Sequence, residues 1–169
     1  MTKLPKKAEQ FISISILVFS VLLSAFLIHK YLFSSSNQPE SIQAVNKQLT
    51  LPDINWSDQP KTIVIALQTS CHFCNESAPF YKHLIENIKG KNIKLVAVLP
   101  TEIEKSRAHL DKLGLNNLEI KQASLDSIKV DGTPTLLLVN DKGEITNSWI
   151  GKLPPNKEAE VINKLLSEG

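Results

Sequence analysis

The two cysteines of the chain, Cys71 and Cys74, are separated by two residues and are the side chains best suited to chemistry. A helix N-terminus stabilises a thiolate at the first cysteine of such a pair, because its unpaired N–H groups and its dipole favour negative charge. A thiolate at Cys71 can attack a disulfide, and Cys74, one helical turn further on, can resolve the mixed disulfide. The spacing therefore predicts a redox-active dithiol.

Two other uses of the pair stay open on spacing alone. A structural disulfide across so short a loop would remove little entropy from the unfolded chain. A zinc site needs four ligands, and His72, His83 and His109 lack the paired spacing of a zinc finger. We therefore expect no metal and no organic cofactor, since the electrons would reside in the cysteines.

The residues around the cysteines predict a strand-to-helix turn. Residues 62–67 are apolar and mostly β-branched, which is typical of a buried strand. Apolar residues then recur at helical spacing over 72–89, before Gly90. Pro79 should kink this helix, because proline lacks an N–H and its ring clashes with the preceding turn. Cys71 then stands at the helix N-terminus.

The rest of the chain predicts further strands and helices. Strands are predicted at 93–99, 118–122, 135–139 and 144–150, with a hairpin turn at 140–143. Helices are predicted at 102–113, with Thr101 as N-cap, and at 155–166. The segment 49–54 is an edge strand or a lead-in, and 125–128 is a helical turn. This order of elements predicts an α/β fold with a mixed central sheet flanked by helices.

The N-terminal segment predicts a membrane anchor. Residues 11–28 carry no charge, and 18 residues at helical rise span about 27 Å, close to the thickness of the bilayer core. We predict a basic cytoplasmic leader at 1–10, a transmembrane signal anchor at 11–33, a polar linker at 34–47 and a domain at 48–169. A cleavable signal peptide is the alternative, but its apolar region is shorter, at roughly 7–15 residues.

The composition excludes one class of partner. The formal net charge is only +2, and no run of Lys and Arg alternates with aromatic residues. Binding to nucleic acid needs a basic surface, so we expect no nucleic-acid partner.

Residues 48–168 resemble the thioredoxin superfamily in a combination of motifs. The CxxC pair is followed five residues later by Pro79 and about 60 residues later by Gly-Thr-Pro-Thr at 132–135. Gly143 and Gly151 match a hairpin glycine and a later glycine of the family. The resemblance implies the thioredoxin fold, with Cys71 and Cys74 as the catalytic pair.

The second motif also implies a docking site. In the family its proline, here Pro134, follows a cis peptide bond, and the residue before it, here Thr133, pairs with the bound substrate strand. Taken alone, Thr133 and Pro134 would form an ordinary trans turn, since cis bonds are rare.

Together with the anchor, the chain resembles membrane-tethered, extracytoplasmic proteins of the TlpA/ResA-like type. The resemblance implies a periplasmic or equivalent location, protein thiols and disulfides as partners, and an upstream membrane thiol donor or acceptor that recycles the cysteines. We expect a reductase. A dithiol oxidase or isomerase, or a non-catalytic redox-sensing and partner-binding module, are the alternatives.

Several positions depart from the family pattern. Ser70 replaces the aromatic residue before the first cysteine, and Ile65 occupies the place of the buried acid that assists proton transfer. Tethered reductases carry a glutamate three residues past the second cysteine, where this chain has Ser77. Glu76 precedes it, roughly 100° away around the helix.

The two residues between the cysteines are candidates for tuning the reaction. An imidazole at His72 can stabilise the Cys71 thiolate, which favours the dithiol and would make the disulfide more oxidising. Alternatively, His72 is only an exposed residue at a helix start. Phe73 offers an apolar contact for partners or packs on a neighbouring loop.

Overall fold

The computed structural model describes residues 16–24 and 45–167, which belong to two separate units. Residues 16–24 are helical and their side chains are exposed. The predicted leader 1–10 lies outside the described residues, as do most of the anchor 11–33 and the linker 34–47. Within the described ranges, no helix is both long and apolar enough to cross a membrane.

Residues 45–167 are built on a five-stranded mixed sheet in the order β3-β2-β1-β4-β5. Its strands are β1 (Lys61–Ala66), β2 (Ile93–Leu99), β3 (Glu119–Gln122), β4 (Thr135–Asn140) and β5 (Ile145–Ile150). The central strand β1 pairs in parallel with β2 and antiparallel with β4. β2 pairs in parallel with β3, and β4 and β5 form an antiparallel hairpin. The predicted mixed sheet is confirmed.

Four helices accompany the sheet: α1 (His72–Glu76), α2 (Ala78–Ile88), α3 (Ile103–Lys112) and α4 (Pro155–Ser167). The helix predicted over 72–89 is divided at Ser77, two residues before Pro79. A proline is tolerated in the first turn of a helix, where its missing N–H would have no intrahelical partner. Starting a new helix at Ala78 therefore accommodates Pro79 without losing a bond from α2.

The structure corrects one local prediction and decides two others. Glu102, not Thr101, is the N-cap of α3 and makes no side-chain cap, while the Thr101 carbonyl accepts a bond from Ser106 Oγ at 3.0 Å. The segment 49–54 is a lead-in without a strand, preceded by an isolated bridge from Gln48 to Glu144. Residues 125–128 form a turn, as predicted, in which the Ile128 N–H donates to the Leu125 carbonyl at 3.2 Å.

The core lies on both faces of the sheet, and β1 contributes to each. Ile63 and Ile65 pack into a cluster with residues of α2 and α4. Val64 and Ala66 pack into a second cluster on the other face, which includes Leu49. Because both faces of β1 are buried, its sequence is a continuous apolar run rather than an alternating one. This burial holds the strand that leads directly to Cys71.

The β4–β5 hairpin turns at Gly143, which has a φ of +81°. Glycine has no Cβ and adopts this left-handed region without strain. A Cβ at Gly143 would lie 2.7 Å from Trp56 Cδ1 and 2.7 Å from Gln48 Nε2. Glycine is therefore required here for its backbone conformation and for the close approach of the Trp56 indole.

We predict that Gly143→Ala destabilises the protein more than Gly90→Ala does. Gly90 also has a positive φ, of +75°, but a Cβ there would meet nothing within 4 Å. Gly90→Ala should cost about 1 kcal/mol of backbone strain, and Gly143→Ala at least about 1 kcal/mol more from overpacking. Urea unfolding of the full chain measures both, and equal losses would contradict the predicted clash with Trp56.

Candidate active site

Cys71 and Cys74 are joined by a disulfide at the carboxyl-terminal end of β1, with their Cα atoms 5.2 Å apart. Cys71 is the N-cap of α1, and Cys74 lies inside that helix. Cys74 is fully buried, whereas Cys71 is only half-buried. Cys71 is therefore the more accessible residue of the pair.

The helix directs a donor at the Cys71 sulfur. The backbone N–H of Cys74 donates to Cys71 Sγ at 3.1 Å. When the disulfide opens, the same N–H can stabilise negative charge on that sulfur, as helix N-termini do for thiolates. This geometry supports the predicted role of Cys71 as the nucleophile.

The Thr133–Pro134 loop lies against the cysteine pair, and its peptide bond is cis as predicted. The Thr133 carbonyl oxygen is 3.4 Å from Cys71 Sγ. A disulfide sulfur has no proton, so this is a contact in the oxidised state that a Cys71 thiol could convert into an S–H···O bond. Thr133 is half-buried, and Pro134 is buried.

Gln68 joins this loop to the cysteine turn. Thr133 Oγ1 donates to Gln68 Oε1 at 3.3 Å, and the Gln68 carbonyl accepts the Cys71 N–H at 3.1 Å. Sequence reasoning missed Gln68, because nothing local marks a residue whose partner is 65 positions away.

His72 and Phe73 are both exposed beside the disulfide. The His72 side chain is 77% exposed, and its Nε2 lies 3.2 Å from Glu76 Oε1. Phe73 is 55% exposed, and its ring centroid is 5.7 Å from that of His72. The imidazole is thus engaged by a carboxylate, and Phe73 presents apolar surface next to Cys71.

Glu76 has a second partner, which the sequence did not reveal. Lys152 Nζ lies 3.0 Å from Glu76 Oε2. The hydrogen bond from Lys152, with the positive charges of Lys152 and His72, holds the pKa of Glu76 below its usual value. Glu76 therefore stays a carboxylate between two basic side chains.

The positions behind the disulfide are apolar or hydrogen-bonded. Ile65 is completely buried in the same cluster as Cys74 and brings no titratable group. Ser77 Oγ donates to the Phe73 carbonyl at 2.8 Å. Tyr81 is buried, and the loss of solvation raises the pKa of its hydroxyl. Among the residues described, no three His, Cys, Asp or Glu side chains are grouped to hold a metal ion.

Solved structures share this architecture, although no family model and no curated protein matches the sequence. The thioredoxin domain of a thiol-disulfide oxidoreductase from Bacteroides vulgatus is 16% identical, with a TM-score of 0.55 over 73% of this chain and 96% of that chain. StoA from Bacillus subtilis is 19% identical, with a TM-score of 0.53 over 71% and 97%. A secreted disulfide oxidoreductase of Mycobacterium tuberculosis is 15% identical, with a TM-score of 0.51 over 66% and 84%.

At these identities the similarity concerns the fold. The mixed sheet, the CxxC pair at the end of β1 and the cis-proline loop before β4 occur together, as the resemblance implied. The chain therefore carries a thioredoxin fold, as the resemblance implied.

Proposed function

We propose that this protein is a thiol–disulfide oxidoreductase that exchanges disulfides with partner proteins. The observation that carries the proposal is the unequal exposure of the paired cysteines. Cys71 is half-buried, receives an N–H at 3.1 Å and adjoins the Thr133 carbonyl, whereas Cys74 is fully buried. One sulfur is accessible to a partner, and the other can reach only its neighbour.

The chemistry follows from this arrangement. In the reducing direction, the Cys71 thiolate attacks a partner disulfide, forms a mixed disulfide and releases one partner thiolate, which takes up a proton. The Cys74 thiol loses its proton and attacks Cys71 Sγ, which closes the Cys71–Cys74 disulfide and releases the second partner thiol. Two electrons pass to the partner, and an external dithiol must restore the cysteines.

Thr133 and Pro134 are proposed to dock the partner chain. The half-buried Thr133 backbone borders the reactive sulfur, and Gln68 anchors its side chain. An extended partner segment can form hydrogen bonds to such a partly exposed backbone, as an added strand does. Phe73, 55% exposed beside Cys71, supplies apolar contact to that segment.

We propose that the protein works as a reductase. His72 would favour an oxidase if its positive charge acted on the Cys71 thiolate alone. Its Nε2 lies 3.2 Å from Glu76 Oε1, so a carboxylate offsets that charge. This supports a dithiol that gives up its electrons readily.

We further propose that the domain is tethered to a membrane and faces an extracytoplasmic space. The uncharged run 11–28, which follows Lys3, Lys6 and Lys7, supports an anchor whose N-terminus stays in the cytoplasm. One protein of similar fold is described as secreted. Its partners would then be protein thiols and disulfides outside the cytoplasm, with an upstream membrane thiol protein as electron donor.

The two variants in which one cysteine is replaced by serine should differ in whether they form a mixed disulfide with a substrate. Cys74→Ser leaves the attacking sulfur in place. We therefore expect a mixed disulfide with a disulfide-bonded substrate such as insulin to accumulate. Cys71→Ser should form none, because the remaining sulfur is buried. Both variants should reduce insulin disulfides at the uncatalysed rate. Mass spectrometry and the turbidity of released insulin chains measure these outcomes.

Retained disulfide reduction in the Cys71→Ser variant would contradict the assigned roles. If the variant lacking both cysteines still captured its partner and supported the phenotype of the wild type, the protein would instead be a binding module.

The reduction potential tests the direction of electron flow. The reductase proposal predicts a reduction potential of about −270 mV for the cysteine pair, as in thioredoxin. A potential of about −120 to −180 mV is typical of oxidases and isomerases. Equilibration of the full chain with thiol–disulfide buffers measures it. A value in the higher range would refute the reductase and leave the exchange chemistry in place.

A reporter fusion tests the location. Alkaline phosphatase, which folds only in an oxidising compartment, should be active when fused after Gly169 in a bacterial host. The matched fusion lacking residues 1–33 should be inactive, because the proposed anchor would be missing. Equal activity of both fusions would contradict the proposed tether.

A further inference from the structure

Glu76 is the centre of a charged cluster at the rim of the site. Its Oε1 lies 3.2 Å from His72 Nε2, and its Oε2 lies 3.0 Å from Lys152 Nζ. Among the residues described, these are the charged side chains with a mutual contact beside the disulfide. The exposed fractions of the Glu76 and Lys152 side chains are 38% and 48%, so both are partly shielded from solvent.

The three side chains come from two distant parts of the sequence. His72 and Glu76 lie on α1 at positions i and i+4, the spacing that brings side chains together on one helix face. Lys152 follows β5, immediately after Gly151, whose N–H donates to the Pro134 carbonyl at 2.7 Å. The ion pair therefore links the helix of the cysteines to the segment that holds the docking loop.

The cluster is close enough to the reactive sulfur to act on its charge. Glu76 lies five residues after Cys71, an axial rise of about 7.5 Å between the two residues on a helix. Charges separated by about a Debye length, about 8 Å at physiological salt, are only partly screened from each other. A bare carboxylate at Glu76 would disfavour a thiolate at Cys71, and the ammonium of Lys152 opposes that effect.

We propose that Lys152 is a positioning residue that holds and neutralises Glu76 and thereby sets the equilibrium between the Cys71–Cys74 disulfide and its dithiol. The inference rests on the proposed exchange function. The partner of the Lys152 ammonium is the Glu76 carboxylate, so Lys152 acts through Glu76.

Two substitutions should move the equilibrium in opposite directions. Lys152→Met removes one positive charge from the cluster and leaves Glu76 with His72 alone. The cluster becomes more negative, which disfavours the thiolate and hence the dithiol, so the disulfide becomes harder to reduce. Glu76→Gln leaves Lys152 and His72 uncompensated, which favours the dithiol. The double variant should return toward the wild type, because the opposing charges are removed together.

An ion pair with a purely structural role, which only holds the two segments together, would behave differently. Removing either partner would then loosen the same contact, and both variants would change stability in one direction without opposite redox effects. Lys152→Arg supplies a further distinction, since it keeps the positive charge and should retain the wild-type equilibrium.

The test is the equilibrium constant of the full chain, held in a non-ionic detergent, with glutathione and its disulfide at fixed pH. We expect shifts of about threefold in opposite directions for the two single variants, in line with measured exposed ion pairs. Threefold corresponds to about 14 mV at 29.6 mV per factor of ten. Thiolate absorbance of the reduced variants across pH provides the second measurement.

Lys94→Met is the matched control. Lys94 pairs with Glu119 at 2.9 Å but stands opposite Thr62, near the start of β1 and far from its cysteine end. The Lys94→Met substitution removes the same charge from a similar ion pair. It should leave the equilibrium between the Cys71–Cys74 disulfide and its dithiol unchanged.

Shifts of the same sign for Lys152→Met and Glu76→Gln, or shifts no larger than that of Lys94→Met, would overturn the inference while the exchange function stood. A wild-type chain without any reversible couple would overturn the proposed function and this inference together. Urea midpoints of each variant verify that it is folded.

Discussion

The pairing of β1 with β4 is the constraint on which the site depends. Ala66 at the end of β1 stands opposite Thr135 at the start of β4. This register brings the residues that follow β1 and those that precede β4 to the same edge of the sheet. Cys71 and Thr133 meet there, 62 positions apart in sequence, with sulfur and carbonyl oxygen 3.4 Å apart. A shift of one residue would also turn each buried side chain of β4 to the opposite face, so burial on both faces holds the register.

This edge of the sheet has an apolar, buried interior and a charged, partly exposed rim. Behind the disulfide, Cys74 lies among apolar side chains that include Ile65, an environment that favours a neutral thiol over a thiolate. In front of it, the N–H of Cys74 points at Cys71 Sγ, which favours a thiolate there. The two cysteines therefore lie in different surroundings, although they belong to one short helix. The partly exposed pair of Glu76 and Lys152 lies at the rim, where solvent screens its charges.

Residues acting within a few positions of one another were predictable. The CxxC spacing, an irregularity of the helix near Pro79 and the hairpin at Gly143 each follow from local chemistry: a helix start, a missing N–H and a positive φ. The sequence predicted a kink within one helix, whereas the structure has two helices that meet at Ser77. Thr101 failed as an N-cap although its side chain is of a suitable type. The Thr101 carbonyl instead accepts a hydrogen bond from Ser106 Oγ, and α3 begins after Glu102, which makes no side-chain cap. Such choices depend on tertiary packing as well as on propensity.

By itself, the sequence determined the fold class, the strand that leads to the cysteines and the place of the cysteine pair after that strand, because periodicity and motif spacing are properties of neighbouring residues. Only the tertiary structure decided which distant side chains surround that pair. Gln68 bonds to Thr133 across 65 positions, and Lys152 reaches Glu76 across 76. These contacts arise because the sheet brings strand ends together at one edge, and no local pattern in the chain records which polar side chains will meet there.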